Sequence, residues 1–203
     1  MAIKWLKQTS DGWIITLDSA GKRRSLPSHL ELDVSGTTDG RDQFTVKEGV
    51  HSGATGSIKT ASGLLLDDDQ HLPGATVVFE DREGGGQTNG FDNKSITISL
   101  PASDGVGPPQ TLGPFKAVGD PDNPIPDGDH VLEIPDFPHD AAAGMADYST
   151  VWFRIGSSGD RYLHPGTISA GCATCDKANW PAIYKALIQA RDGSGNVGTI
   201  TVK

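Results

Sequence analysis

Cysteine is almost absent from this chain: 2 residues in 203, Cys172 and Cys175. Two thiols make no disulfide framework, so the fold must be held by a packed core. Long apolar runs are absent too. Nothing approaches the roughly 18 residues of a helical membrane span, and no membrane span is expected. Basic clusters are short, Lys22-Arg23-Arg24 being the longest, and the net charge is −9. Nucleic acid is therefore excluded as a partner, because it needs a basic face. The opening residues, Met-Ala-Ile-Lys-Trp-Leu-Lys-Gln, lack the apolar stretch and cleavage site of a secretory signal. Synthesis in the cytoplasm is expected, with another route for any export. Charged residues at 21% and hydrophobic residues at 35% suffice for a core and argue against a disordered chain.

Turn formers are plentiful, with 26 glycines and 13 prolines. They suggest many turns between short strands. Residues 13–17, 30–34, 44–46, 75–79 and 95–100 read as strands from alternation or β-branched content. Residues 129–134, 149–155 and 197–202 read the same way. One helix is expected from Asn179 as N-cap, with Trp180, Ile183, Tyr184, Leu187 and Ile188 on one face. Pro181 sits in its first turn, Arg191 in its last, and Gly193 follows as a stop. The Pro-, Gly- and Ser-rich stretch 101–113 reads as a linker or a long loop. The whole predicts a mainly β fold with one helix just after the cysteines.

The chemistry concentrates in His164-Pro-Gly-Thr-Ile-Ser-Ala-Gly-Cys172. A thiol attacks as thiolate, so a catalytic cysteine needs a base or a positive field nearby. His164 lies eight residues upstream across turn-forming residues. Gly171 would let a substrate carbonyl approach, with the Gly171 and Cys172 N–H groups as an oxyanion hole. Spacing alone leaves the bland alternative open, since a lone cysteine in a strand is usually a small buried hydrophobe. Cys172-Ala-Thr-Cys175 has redox or zinc spacing, but no second ligand pair and no thioredoxin-like context accompany it. The acidic runs at residues 67–69 and 120–122 lack the calcium-loop spacing, and no metal is expected. His51, His71, His130 and His139 have no evident partners in the sequence.

Residues 113–203 resemble the L,D-transpeptidase (YkuD-type) catalytic domain, in particular its compact branch among peptidoglycan-targeting type VI secretion effectors. Two motifs carry the resemblance. One is Asn123-Pro-Ile-Pro-Asp-Gly128 leading into a strand; the other is His164 followed by Ser169, Gly171 and Cys172. Ala170 stands where many members have His, and Ala173-Thr174 where many have Ile/Val-Arg. The resemblance implies an L,D-transpeptidase-like β-sandwich or barrel over residues 113–203. Residues 1–112 would then be a β-rich region, part of the same sandwich or a lid. It implies Cys172 as nucleophile, His164 as base and Ser169 as orienting residue. Arg154, Arg161 and Tyr162 become candidates for holding the substrate, and no cofactor is required. The implied substrate is the peptidoglycan stem peptide, cleaved or exchanged through a thioester. Action in the periplasm after export would bring in a secretion machine and an immunity protein. A non-catalytic cell-wall-binding β-sandwich and a thiol-redox protein are the rival readings.

Overall fold

The computed structural model describes residues 1–102, 107–141, 145–156 and 159–203. In chain order, seven strands come first: β1 (Ala2–Leu6), β2 (Trp13–Asp18), β3 (Arg23–Pro27), β4 (Glu31–Thr38), β5 (Arg41–Val46), β6 (Thr55–Lys59) and β7 (Leu65–Leu66). They form one sheet in the order β3-β2-β6-β5-β4-β1-β7. Next come β8 (Leu72–Pro73), β9 (Ala75–Asp81), β10 (Gln87–Thr88), β11 (Phe91–Leu100), β12 (Gln110–Gly119) and β13 (Gly128–Leu132). The chain ends with β14 (Phe153–Arg154), β15 (Tyr162–Pro165), β16 (Ala173–Cys175), α1 (Trp180–Leu187), β17 (Ala190–Arg191) and β18 (Gly198–Val202).

The second sheet runs β13-β18-β9-β11-β12-β16-β15-β14, with β10 beside β11. It curls almost into a barrel. A bridge between Leu132 and Ile155 brings its two ends together. The Glu133 N–H donates to the Arg154 carbonyl at 2.9 Å, and the Gly156 N–H to that of Val131 at 2.8 Å. Closure removes the open edges that a twisted sheet otherwise exposes. The architecture is thus mainly β with one α-helix among the described residues, as the composition and patterning imply.

Two hairpins close on two-residue turns whose residues both have positive φ: Asp39-Gly40 between β4 and β5, and Asn89-Gly90 between β10 and β11. Asp and Asn before Gly suit that geometry because both tolerate the left-handed region. The stretch 101–113 joins no separate domains. Leu100 pairs with Gln110, so β11 and β12 form a hairpin, and β12 has already begun by Gln110. Residues 103–106 of that stretch lie outside the described residues. The division at residue 112 therefore falls inside the barrel, whose β9 and β11 lie before it.

The sequence misplaces the end of the helix. It stops at Leu187, capped by Ile188, and Asn179 makes no side-chain capping bond. Arg191 sits in β17, parallel to β8, and its guanidinium meets a buried carboxylate. Its Nε reaches Glu48 Oε2 at 2.8 Å and its Nη2 reaches Oε1 at 3.0 Å. This pair ties the β8–β17 ribbon to the segment just after β5. A single hydrophobic core runs through both sheets, with Leu6, Ile14 and Leu32 on one side and Ile96, Leu132, Phe153 and Trp180 on the other. Of residues 149–155, only Phe153–Arg154 are strand. Among the described residues, no helix is long and apolar enough to cross a membrane.

Candidate active site

β15 and β16 pair in parallel, with Leu163 opposite Ala173, His164 opposite Thr174 and Pro165 opposite Cys175. Side chains alternate along strands. One face therefore carries Leu163, Ala173 and Cys175, all fully buried in the core. The other carries Tyr162, His164 and Thr174, with Cys172 just before the strand on the same side. The neighbouring β14 adds Arg154, opposite Tyr162. Cys172 and His164 are thus brought to one face of adjacent strands, each 8% exposed. Cys175, three residues on, faces the opposite way into the core, and both thiols are free.

The loop before Cys172 is built by Ser169. Its Oγ accepts the Cys172 N–H at 3.1 Å and donates to the Cys172 carbonyl at 2.7 Å. Ser169 therefore shapes the loop, and it also occupies one of the two N–H groups expected to form an oxyanion hole. Gly171 has φ +91°, a left-handed conformation that only glycine holds without strain. A Cβ there would lie 2.5 Å from Asn123 Nδ2. The Asn123 side-chain amide of the Asn123-Pro-Ile-Pro element thus packs against the cysteine loop.

Arg161 fastens that contact. Its Nη1 donates to the carbonyls of Pro124 and Gly171, both at 2.9 Å, and its Nη2 to Asn123 Oδ1 at 2.9 Å. The two motifs singled out in the sequence are joined by this one guanidinium. Arg161 acts on the chain itself, with these donors spent on backbone and amide oxygens. Tyr162 is likewise engaged: its hydroxyl donates to Asp136 Oδ2 at 3.0 Å. Burial and the Asp136 carboxylate push its pKa up to about 12. Arg154 donates through Nη2 to the Gly159 carbonyl at 3.2 Å and lies 3.8 Å from Glu133.

His164 is held on both sides. Its Nδ1 lies 3.0 Å from the Pro165 carbonyl and its Nε2 3.1 Å from Thr174 Oγ1. A carbonyl only accepts, so Nδ1 carries the proton and Nε2 keeps its lone pair. The Thr174 hydroxyl also lies 3.2 Å from the Ile168 carbonyl. Its one hydrogen points either to Nε2 or to Ile168. In the second case Oγ1 is ready to accept from a protonated Nε2. Burial, opposed by the Pro165 bond, lowers the His164 pKa to about 4. Burial raises that of Cys172, against the Tyr162 backbone bond and the Arg161 charge. Both groups rest neutral. Cys172 Sγ faces the Asp160 carbonyl at 3.9 Å, and no hydrogen bond joins it to His164 in this resting arrangement.

Four further residues, Asp136, Phe137, His139 and Trp152, complete the site. Trp152 stacks on the His164 ring at 4.3 Å, His139 on Trp152 at 4.2 Å, and Phe137 on His139 at 4.5 Å. Asp136 binds both His139 Nε2, at 3.1 Å, and Tyr162. A column of rings thus backs the imidazole. Trp152 and Tyr162 belong to the site face, whereas Phe153 is core. His139 takes Asp136 and Phe137 from its own loop, and Trp152 and Tyr162 from two distant segments. The clustered Pro135-Asp-Phe-Pro-His139 run is the signal that marks this loop. His51 reaches the same loop from the first sheet, 2.7 Å from the Asp136 carbonyl.

Comparison with family models, with curated proteins and with solved structures finds no match for this chain.

Proposed function

We propose that this chain is a cysteine acyl-transfer enzyme acting on peptidoglycan stem peptides, an L,D-carboxypeptidase or L,D-transpeptidase. The observation that carries the reading is the placement of Cys172 and His164 on one face of the parallel β15–β16 pair. The clamp of Arg161 on Asn123, Pro124 and Gly171 adds support, because it unites the two motifs on which the resemblance rests. Cys175 faces the core, which disfavours the redox reading of the cysteine pair.

In this mechanism the thiol proton passes to His164 Nε2 as Sγ attacks the carbonyl of the L-centre of the stem peptide. The imidazolium is held by Nδ1–H to Pro165 and by Nε2–H to Thr174, whose own hydrogen turns to Ile168. His164 returns the proton to the leaving D-amino acid amine. A thioester on Cys172 remains. Water resolves it to a free acid, or an amine to a new amide. Thiol and imidazole must close on each other for the first step, and catalytic hydrogen bonds commonly tighten only once substrate is bound. Action in the periplasm after export, with a cognate immunity protein in the producer, belongs to the same reading.

The test is incubation with tetrapeptide muropeptides and mass spectrometry of the products. The reading expects loss or exchange of the terminal D-amino acid. Cys172→Ala and His164→Gln should abolish it, and Cys175→Ala should not. A folded protein that binds muropeptides without turning them over would instead be the cell-wall-binding module.

A further inference from the structure

A cleft of about 360 Å³ opens on the site face of the barrel, one strand beyond His164. Its floor is Val118 and Thr174, paired between β12 and β16. Thr174 also carries the hydroxyl that meets His164 Nε2. Gly166 forms part of the wall between cleft and imidazole. A Cβ there would sit 3.1 Å from Thr174 Cγ2 and 3.7 Å from His164 Cε1, so the missing side chain leaves room beside the ring. The cleft and the candidate base share one wall.

The lining charges run against those of the chain. The net charge is −9, yet Arg82, Lys116 and Lys177 line this cleft against a single carboxylate, that of Asp176. Asp176 Oδ1 is already bound to the Ala178 N–H at 3.0 Å. Among the described residues, neither Arg82 nor Lys116 forms an ion pair, whereas Lys4, Lys94, Arg191 and Lys203 each do. The wall that bears Arg82 is held in place by Asn93. Its Nδ2 donates to the Gly85 carbonyl at 3.3 Å, and its Oδ1 accepts from Thr88 Oγ1 at 2.8 Å. Cations gathered around a formed cleft focus anions, and carboxylate is the anion of a peptide.

We infer that this cleft is a subsite for the free carboxylates of the substrate peptide, with Arg82 and Lys116 as its binding residues. The inference rests on the reading of Cys172 and His164 as the catalytic pair. It assigns carboxylate recognition away from Arg154 and Arg161, whose donors are turned to the protein's own oxygens. Binding should therefore weaken with ionic strength.

The experiment measures binding of a stem tetrapeptide, and of its carboxyl-amidated analogue, to Cys172→Ala protein by calorimetry at low and high salt. The Arg82→Gln/Lys116→Gln double variant is compared, with thermal melting as the control for folding. The expected result is about tenfold weaker binding in the double variant, as for the loss of charge-assisted contacts. The amidated peptide should bind both proteins equally weakly, and salt should weaken only the carboxylate peptide. In the Cys172 protein, the same double variant should raise KM and leave kcat in place. Equal affinity for the two peptides, or salt-independent binding by the parent, overturns the subsite without need of any variant. Turnover with an unchanged KM in the double variant overturns the subsite and keeps the enzyme. Carboxylate-dependent binding without turnover overturns the enzyme and keeps the cleft.

Discussion

Two histidines are buried in neutral form, and acid should find them. His164 and His29 are both lowered from 6.5 to about 4, each first by burial. For His29 the Arg191 and His71 charges add to the effect, and its Nδ1 is buried without a partner. Because the folded-state pKa is the lower one, the unfolded chain takes up the proton first. The stability contributed by each is complete above pH 6.5 and is lost as pH falls towards 4. Linkage puts the loss at ~2 kcal/mol per histidine at pH 5, and at ~3 kcal/mol once pH is below 4. Together that is ~4 kcal/mol at pH 5, against a typical total of 5–15 kcal/mol. Urea unfolding followed by tryptophan fluorescence between pH 7.5 and 5 measures it. His164→Gln and His29→Gln should each flatten the pH dependence by about half, and carboxylates common to all three proteins cancel in the comparison. Parallel pH curves for parent and both variants would refute the reasoning.

Glu48→Gln breaks the buried pair with Arg191 and should cost about 3–5 kcal/mol, read as a lower urea midpoint with an unchanged slope. Gly171→Ala forces a side chain into φ +91° and against Asn123; a loss of about 1–3 kcal/mol in melting is expected, with muropeptide turnover abolished. The raised pKa of Cys172 should keep its alkylation by iodoacetamide slow at pH 7, rising only above pH 9, with Cys175 slower still. Peptide mass mapping checks this, and rapid labelling of Cys172 at pH 7 would contradict it. Thr174→Val removes the acceptor for a protonated Nε2 and should move the acid limb of kcat/KM down by about one pH unit, with Thr174→Ser restoring it.

Part of the strand content was legible because alternation and β-branched runs are local signals. Residues 13–17 and 95–100 lie in β2 and β11, and residues 197–202 end in β18. β1, β3, β6, β7, β8, β10, β12, β15, β16 and β17 were not read, and the dipeptides Asp39-Gly40 and Asn89-Gly90 were the overlooked marks of two hairpins. The helix end was misjudged because Arg191 suits a helix C-terminus by charge. Its actual partner, Glu48, is 143 residues away and leaves no local trace. Cys172, His164 and Ser169 were singled out through a short motif, and they lie together in the fold. The contacts of Arg161 and Tyr162 were not foreseen, because a side chain's type does not say whether its donors face a ligand or the protein's own oxygens. Trp152 meets His139 only through the barrel's closure, which brings residues 131–133 against 154–156.

The resting arrangement sets what the proposed reaction must supply. A neutral thiol and a neutral imidazole, each sunk below the surface, do not exchange a proton spontaneously, since burial disfavours both charged products. Substrate therefore has to change the local electrostatics as well as fill the site. The ring column of Phe137, His139 and Trp152 fixes the imidazole plane, and the Pro165 carbonyl fixes its tautomer. Those two parts are already organised. What remains to move is the thiol, which faces the Asp160 carbonyl, and the hydrogen of Thr174, which has two acceptors within reach. The Thr174 hydrogen needs only a rotation about its C–O bond. In the proposed reaction, a peptide carbonyl must draw Sγ away from Asp160 before the thiol can react.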